Sequence, residues 1–168
     1  MKKFVLTLVV VFGTFQIVSS QADYNEPLGV GFPAVSNLTY LSKVYLKEAS
    51  GVIKELRLKA ANFDVFNAEG YEPNASNPFV VVHKATNGHI TVSYDKNGEI
   101  ITAWERFENV PLSKKVRELV GKKYGGWKIV KNTYRSSYSN GKIETSIYKL
   151  KLSNGYRTIG IKVNALEI

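Results

Sequence analysis

The chain contains no cysteine and only two histidines, His83 and His89. The first absence excludes a disulfide framework, a thiolate-bound metal, a cysteine nucleophile and a diacylglyceryl lipoprotein anchor. The second leaves almost no material for a histidine-rich metal centre. After the first twenty residues no apolar run is long enough to span a bilayer as a helix. At 168 residues the length fits one domain.

What is present at the start is an address. Lys2 and Lys3 precede an apolar run over 4–18, and Ser19 and Ser20 follow. A basic head, a short apolar stretch and a small-residue exit are the pattern of a secretory signal peptide over 1–20. The run is about 15 residues against the roughly 20 that a spanning helix needs. Cleavage after Ser20 or after Ala22 leaves a periplasmic or secreted chain without a transmembrane anchor. Residues 21–42, with Pro27, Gly29, Gly31 and Pro33, read as an extended lead-in, and 43–168 as a single domain.

Charge is unevenly spread. The whole chain carries +9, of which residues 125–168 hold +6 and residues 21–124 only +1. Such an asymmetry favours encounter with anionic partners and weakens with salt. Export makes nucleic acid a poor partner.

Asn-Gly occurs at 87–88, 97–98, 140–141 and 154–155, each between runs of strand-forming residues. The pair is the strongest short-range signal for a hairpin. Two-residue turns at 87–88 and 97–98 place Val81 opposite Tyr94, His83 opposite Val92, Tyr94 opposite Ile101 and Val92 opposite Ala103. A turn at 154–155 places Leu150 opposite Ile159 and Tyr148 opposite Ile161. Each register gathers apolar residues on one face. The hairpin at 140–141 needs a bulge or a longer loop, because Val130, Tyr134 and Tyr138 differ in parity from Trp127 and Ile129. Apolar spacing predicts a helix over 112–124, which Gly125-Gly126 ends, and one over 52–62, where Leu56 and Leu58 also alternate as in a strand. Residues 67–78 read as a polar loop.

The stretch from Asn87-Gly88 to Glu99-Ile100 resembles that from Asn154-Gly155 to Glu167-Ile168. This predicts an α+β fold: an antiparallel sheet of about six strands built from two helix-plus-meander units, about 50–107 and 111–168, with the helices on one face.

The segments YDKNGEI at 94–100, ERFENVPL at 105–112, KKYGGWKIVKNTY at 122–134 and SIYKLKLSNG at 146–155, with KKVRELV within the second helix, resemble the secreted PepSY-like family of Gram-negative bacteria. Its members are relatives of the β-lactamase-inhibitor-protein fold. The resemblance covers about 43–168. It implies an exported, cysteine-poor antiparallel sheet with packed helices, acting by protein binding or enzyme inhibition rather than catalysis, with no catalytic residue to carry over. One departure is Tyr124-Gly125-Gly126-Trp127, where relatives tend to have Tyr-Pro-Gly-Trp.

Candidate chemistry is sparse. Thr86-Asn87-Gly88-His89 matches the T-x-G-H form of a nucleotidyltransferase phosphate motif, which needs a parallel strand leading into a helix. The register argument puts it on a hairpin instead. Asp95-Lys96-Asn97-Gly98-Glu99 has the start of a calcium loop, but the twelfth position is the cation Arg106. His83 falls on the apolar face and reads as a core histidine. These readings assign no catalytic residue, metal or cofactor.

The basic C-terminal segment is the usable surface signal. With Tyr148, Leu150, Leu152, Ile159 and Ile161 facing inward, Lys149, Lys151 and Lys162 face out. Lys131 or Lys128, with Arg135, extends the row according to where the bulge falls. Tyr134, Tyr138 and Tyr156 lie on the same strands and complete a candidate partner-binding set. Lysines placed this way also guard strand edges against aggregation. The expectation is a non-enzymatic binding or inhibitor-like module for a protein or an anionic envelope component. The alternatives are a nucleotidyltransferase using Thr86 and His89, or a structural part of an envelope complex.

Overall fold

The computed structural model describes residues 36–44 and 49–168. The expected signal peptide, 1–20, and most of the expected lead-in, 21–35, lie outside the described residues. Among the described residues three helices, α1 (Leu38–Val44), α2 (Gly51–Ala61) and α3 (Lys114–Lys123), accompany six strands. These are β1 (Phe79–Ala85), β2 (Gly88–Tyr94), β3 (Ile100–Glu108), β4 (Lys128–Ser139), β5 (Lys142–Ser153) and β6 (Thr158–Asn164). The strands form one antiparallel sheet in the order β1-β2-β3-β4-β5-β6. The α+β class and the six-stranded antiparallel sheet stand as expected.

Helix formation follows the apolar spacing. In α2, Ile53, Leu56 and Ala60 are buried together. In α3, Val116 and Val120 are buried, and the Ser113 hydroxyl caps the first turn by accepting from the Val116 amide. That cap starts α3 after Leu112, and Gly126 adopts a positive φ of 79° just beyond its end. One expectation needs correction. Residues 38–42 are helical, not extended, because Tyr40 and Val44 stand one turn apart and both are buried. Tyr40 packs edge-on to Tyr138 of β4, with ring centroids 5.0 Å apart. Before this helix, the buried Asn37 clamps the β2–β3 turn. Its amide donates to the Gly98 carbonyl at 3.0 Å, and its oxygen accepts from the Ile100 amide at 2.7 Å.

The sheet buries one face. Ile90, Val92 and Tyr94 of β2, Ala103 and Phe107 of β3, Tyr134 of β4 and Leu150 and Leu152 of β5 form one apolar cluster with residues of all three helices. Parity in the β1–β2 and β5–β6 hairpins is as expected, but the turns differ. The register is Val81 to Val92 and His83 to Ile90, so the β1–β2 reversal uses Thr86-Asn87. Gly88 pairs with Phe107, and a Cβ there would lie 2.4 Å from the Phe107 ring and from the Arg106 carbonyl. Close approach, not turn geometry, demands that glycine. At 97–98 the loop is longer: Asp95 accepts from the amides of Asn97 and Glu99, and Gly98 has φ 77°. The resulting bulge pairs Tyr94 with Ile100 rather than with Ile101.

The β5–β6 loop runs over four residues, so Leu150 meets Ile161 and Leu152 meets Ile159. The hairpin that was least clear in sequence is the tightest. Asn140 and Gly141 both have positive φ, 50° and 78°, between paired Ser139 and Lys142. Register shifts at Ile129/Lys131 and Ser137/Tyr138 supply the required bulge.

Each of α2 and α3 precedes three strands. The sequence offset of 67 residues, however, superimposes β1–β2 on β5–β6 and leaves β3 and β4 without counterparts.

Candidate functional site: a basic face on the open side of the sheet

Residues that pair across strands share a face, so the register specifies the outer surface. One outer row reads Lys84, His89, Arg106, Arg135, Ile147 and Asn164 from β1 to β6. Beside it run Glu108, Thr133, Lys149 and Lys162, and then Lys131, Lys151 and Gly160. These rows hold seven Lys or Arg residues against one carboxylate, Glu108.

Glu108 accepts from Arg106 at 2.9 Å and faces Lys131 at 3.1 Å. Those hydrogen bonds, Arg106 first and Lys131 second, hold its carboxyl below the usual range. Arg135, Lys149, Lys151 and Lys162 have no acidic partner within ion-pair distance among the described residues. Lys149 and Lys162 stand directly opposite one another, as do Lys131 and Lys151. Like charges placed this way destabilise a sheet.

An open depression of about 440 Å³ lies on this face, lined by Trp104, Arg106, Arg135, Ile147, Lys149 and Lys162 among others. Trp104 is 62% exposed. Parity along β3 places it outward, opposite the buried Ala103 and Glu105.

The expected set therefore divides. Lys131, Arg135, Lys149, Lys151 and Lys162 are exposed on one surface. Tyr134 and Tyr138 are not part of it: they are 1% and 4% exposed and face the core. The bulge at Val130 turns β4 so that its tyrosines pack inward. Tyr156 is exposed at the tip of the β5–β6 loop, beyond the lysine rows. The residues that sequence reasoning missed are Trp104 and Arg106, legible in retrospect as outward-parity positions on β3.

A second polar cluster is closed to solvent. Arg57 of α2 and Glu105 of β3 form a two-pronged ion pair, Nε to Oε1 at 2.8 Å and Nη2 to Oε2 at 2.6 Å. Their side chains are 1% and 2% exposed. The Arg57 guanidinium also donates to the Val44 carbonyl and to the Tyr134 hydroxyl, which meets Ser146 at 3.0 Å. Burial works against the Arg57 charge, but the facing Glu105 outweighs it and raises the guanidinium above its ordinary value. This pair sits in the core and fastens α2 to the sheet.

His83 is buried, with Nε2 3.1 Å from the Tyr94 hydroxyl, which itself donates to the Ala60 carbonyl at 2.8 Å. The hydroxyl proton is thus committed, and the histidine donates to the hydroxyl oxygen. Burial, aided by Lys59, lowers the His83 pKa. His89 lies on the opposite face, between Lys84 and Arg106, so the two histidines do not converge. Thr86-Asn87-Gly88-His89 spans an antiparallel hairpin and does not open a helix. The Asp95 carboxylate is engaged by its own turn. Among the described residues no helix is long and apolar enough to cross a membrane.

Comparison with family models, with characterised proteins and with solved structures finds no match.

Proposed function

We propose that the chain is an exported, non-enzymatic binding or inhibitor-like module that engages a protein or an anionic envelope component through the outer face of its sheet. The observation that carries this reading is the Lys149–Lys162 pair with Arg135 and Lys151 around it, cations without an acidic partner among the described residues, placed where cross-strand repulsion costs stability. The basic-headed apolar segment at 1–20 supports export to the periplasm or beyond. The resemblance to the PepSY-like family, with its relation to the β-lactamase-inhibitor-protein fold and two-unit architecture, belongs to the same proposal. The repeated order of one helix and three strands supports it, while the offset of β1–β2 onto β5–β6 counts against a simple duplication.

The test is to replace Lys149, Lys151 and Lys162 by glutamate together and to measure retention on acidic matrices and envelope fractions. Loss of a salt-sensitive retention is expected. Retention that is unchanged and indifferent to salt overturns the reading. A structural role in an envelope complex is favoured by one observation, the edge strand β1 with Val80 and Val82 exposed at 56% and 47%. Affinity purification from envelope extract separates that role from free inhibition.

A further inference from the structure

Resting on the basic-face reading, we infer that this face binds an acidic polysaccharide, a glycan chain bearing carboxylates, laid across the strands from β3 to β6 with a sugar ring against Trp104. Three observations favour this ligand over a protein surface.

The first is chemical composition. Protein interfaces are depleted in lysine at their centres, because a flexible ammonium is costly to desolvate and to order. Here Lys149 and Lys162 line the depression in the candidate surface and Lys151 lies in the next row, all three exposed. A hydrated polyanion can meet them without expelling their water.

The second is backbone availability. Peptides recognised by sheets commonly add as an edge strand, where free N–H and C=O groups await them. The outer-face cations lie mainly on β3, β4 and β5, whose flanks are paired on both sides. Those strands offer a ligand side chains only, which suits charges at intervals along a polymer.

The third is geometry. Arg106 pairs with Arg135 in one row and Lys149 with Lys162 in the row beside it, so each of four successive strands contributes at least one cation. Neighbouring strands are about 4.8 Å apart, comparable to the advance of one sugar along an extended glycan. Trp104 stands two residues from Arg106 on β3, its ring lining the same depression as Arg135 and Lys149. A flat, exposed ring beside a cation row suits a sugar, which presents a C–H face and an ionised edge together.

The experiment uses the full mature chain and three immobilised probes: polygalacturonate, dextran and polyglutamate. Salt-sensitive retention on polygalacturonate, little on dextran and weaker retention on polyglutamate is the expected pattern. Trp104→Ala should weaken polygalacturonate retention roughly tenfold, of the order a lost ring contact gives, with the salt dependence unchanged. Lys149→Glu with Lys162→Glu should abolish retention and flatten the salt dependence. Far-ultraviolet circular dichroism and the unfolding midpoint establish that each variant is folded, and Trp104→Phe serves as a conservative second variant that should keep most of the retention. Retention of polyglutamate equal to that of polygalacturonate, or indifference to Trp104→Ala, overturns the glycan assignment while leaving the basic face standing. Indifference of every probe to the lysine reversals overturns both.

Discussion

Arg57 on α2 and Glu105 on β3, 48 residues apart in the chain, meet as a two-pronged ion pair inside the apolar core. Removing one partner strands the other charge. Arg57→Met or Glu105→Leu is expected to destabilise the fold by about 3–5 kcal/mol. Replacing both, Arg57→Met with Glu105→Leu, should recover most of that loss, because no buried charge remains. Urea unfolding of the single and double variants measures the difference. Additive losses would show that the pair is not coupled as the geometry implies.

Gly88 is held by the Phe107 ring and the Arg106 carbonyl, both 2.4 Å from where a Cβ would sit. Gly88→Ala should cost about 1–3 kcal/mol by overpacking. Phe107→Leu in the same chain should return part of the cost, as the ring is one of the two obstacles. A thermal midpoint unchanged by Gly88→Ala would contradict the close approach.

The Asn37 side chain bonds to both the Gly98 carbonyl and the Ile100 amide. Asn37→Ala leaves those backbone groups to find other partners, at an expected cost of about 1–3 kcal/mol. Hydrogen exchange at the Ile100 amide reports the local effect, and faster exchange there is the expected result.

His83 gives stability a pH dependence. Its pKa is lowered in the fold by burial and then by Lys59, so just below the ordinary value of about 6.5 the unfolded chain binds more protons than the folded one. The contribution is complete above pH 6.5 and is lost as pH falls through the folded pKa. Denaturation midpoints measured from pH 7.5 down to 5 should decline, and His83→Gln should flatten the decline.

Lys149 and Lys162 separate binding from stability. Lys162→Glu turns a repulsive cross-strand pair into an attractive one and is expected to stabilise the sheet by about 0.2–1 kcal/mol, while weakening retention on an anionic matrix. A variant that loses both would point to damage to the fold rather than to the surface.

The faces of the strands were legible in sequence for a geometric reason. Moving a hairpin turn by one residue shifts the pairing by two, so Val81, His83, Ile90 and Val92 stay on the inner side although the turn is at Thr86-Asn87. A single added residue has no such protection. The bulge beside Gly98 put Ile100 inside and left Ile101 outside, and the one at Val130 took Tyr134 and Tyr138 away from the surface. Bulges depend on tertiary packing, which alternation of residue types does not encode. The lysines of β5 and β6 were legible because their neighbours Tyr148, Leu150 and Leu152 are unambiguous core residues. Arg57 and Glu105 carry no motif that singles them out in sequence, although each is a charge set within an apolar stripe.

Among the described residues, every strand of this sheet hydrogen-bonds only to its immediate neighbours in the chain. The ladder can therefore assemble in the order in which the polypeptide is delivered, each arriving segment finding its template already laid down. No strand must be held open for a later one to slip between, and the last piece to dock, β6, closes nothing behind it.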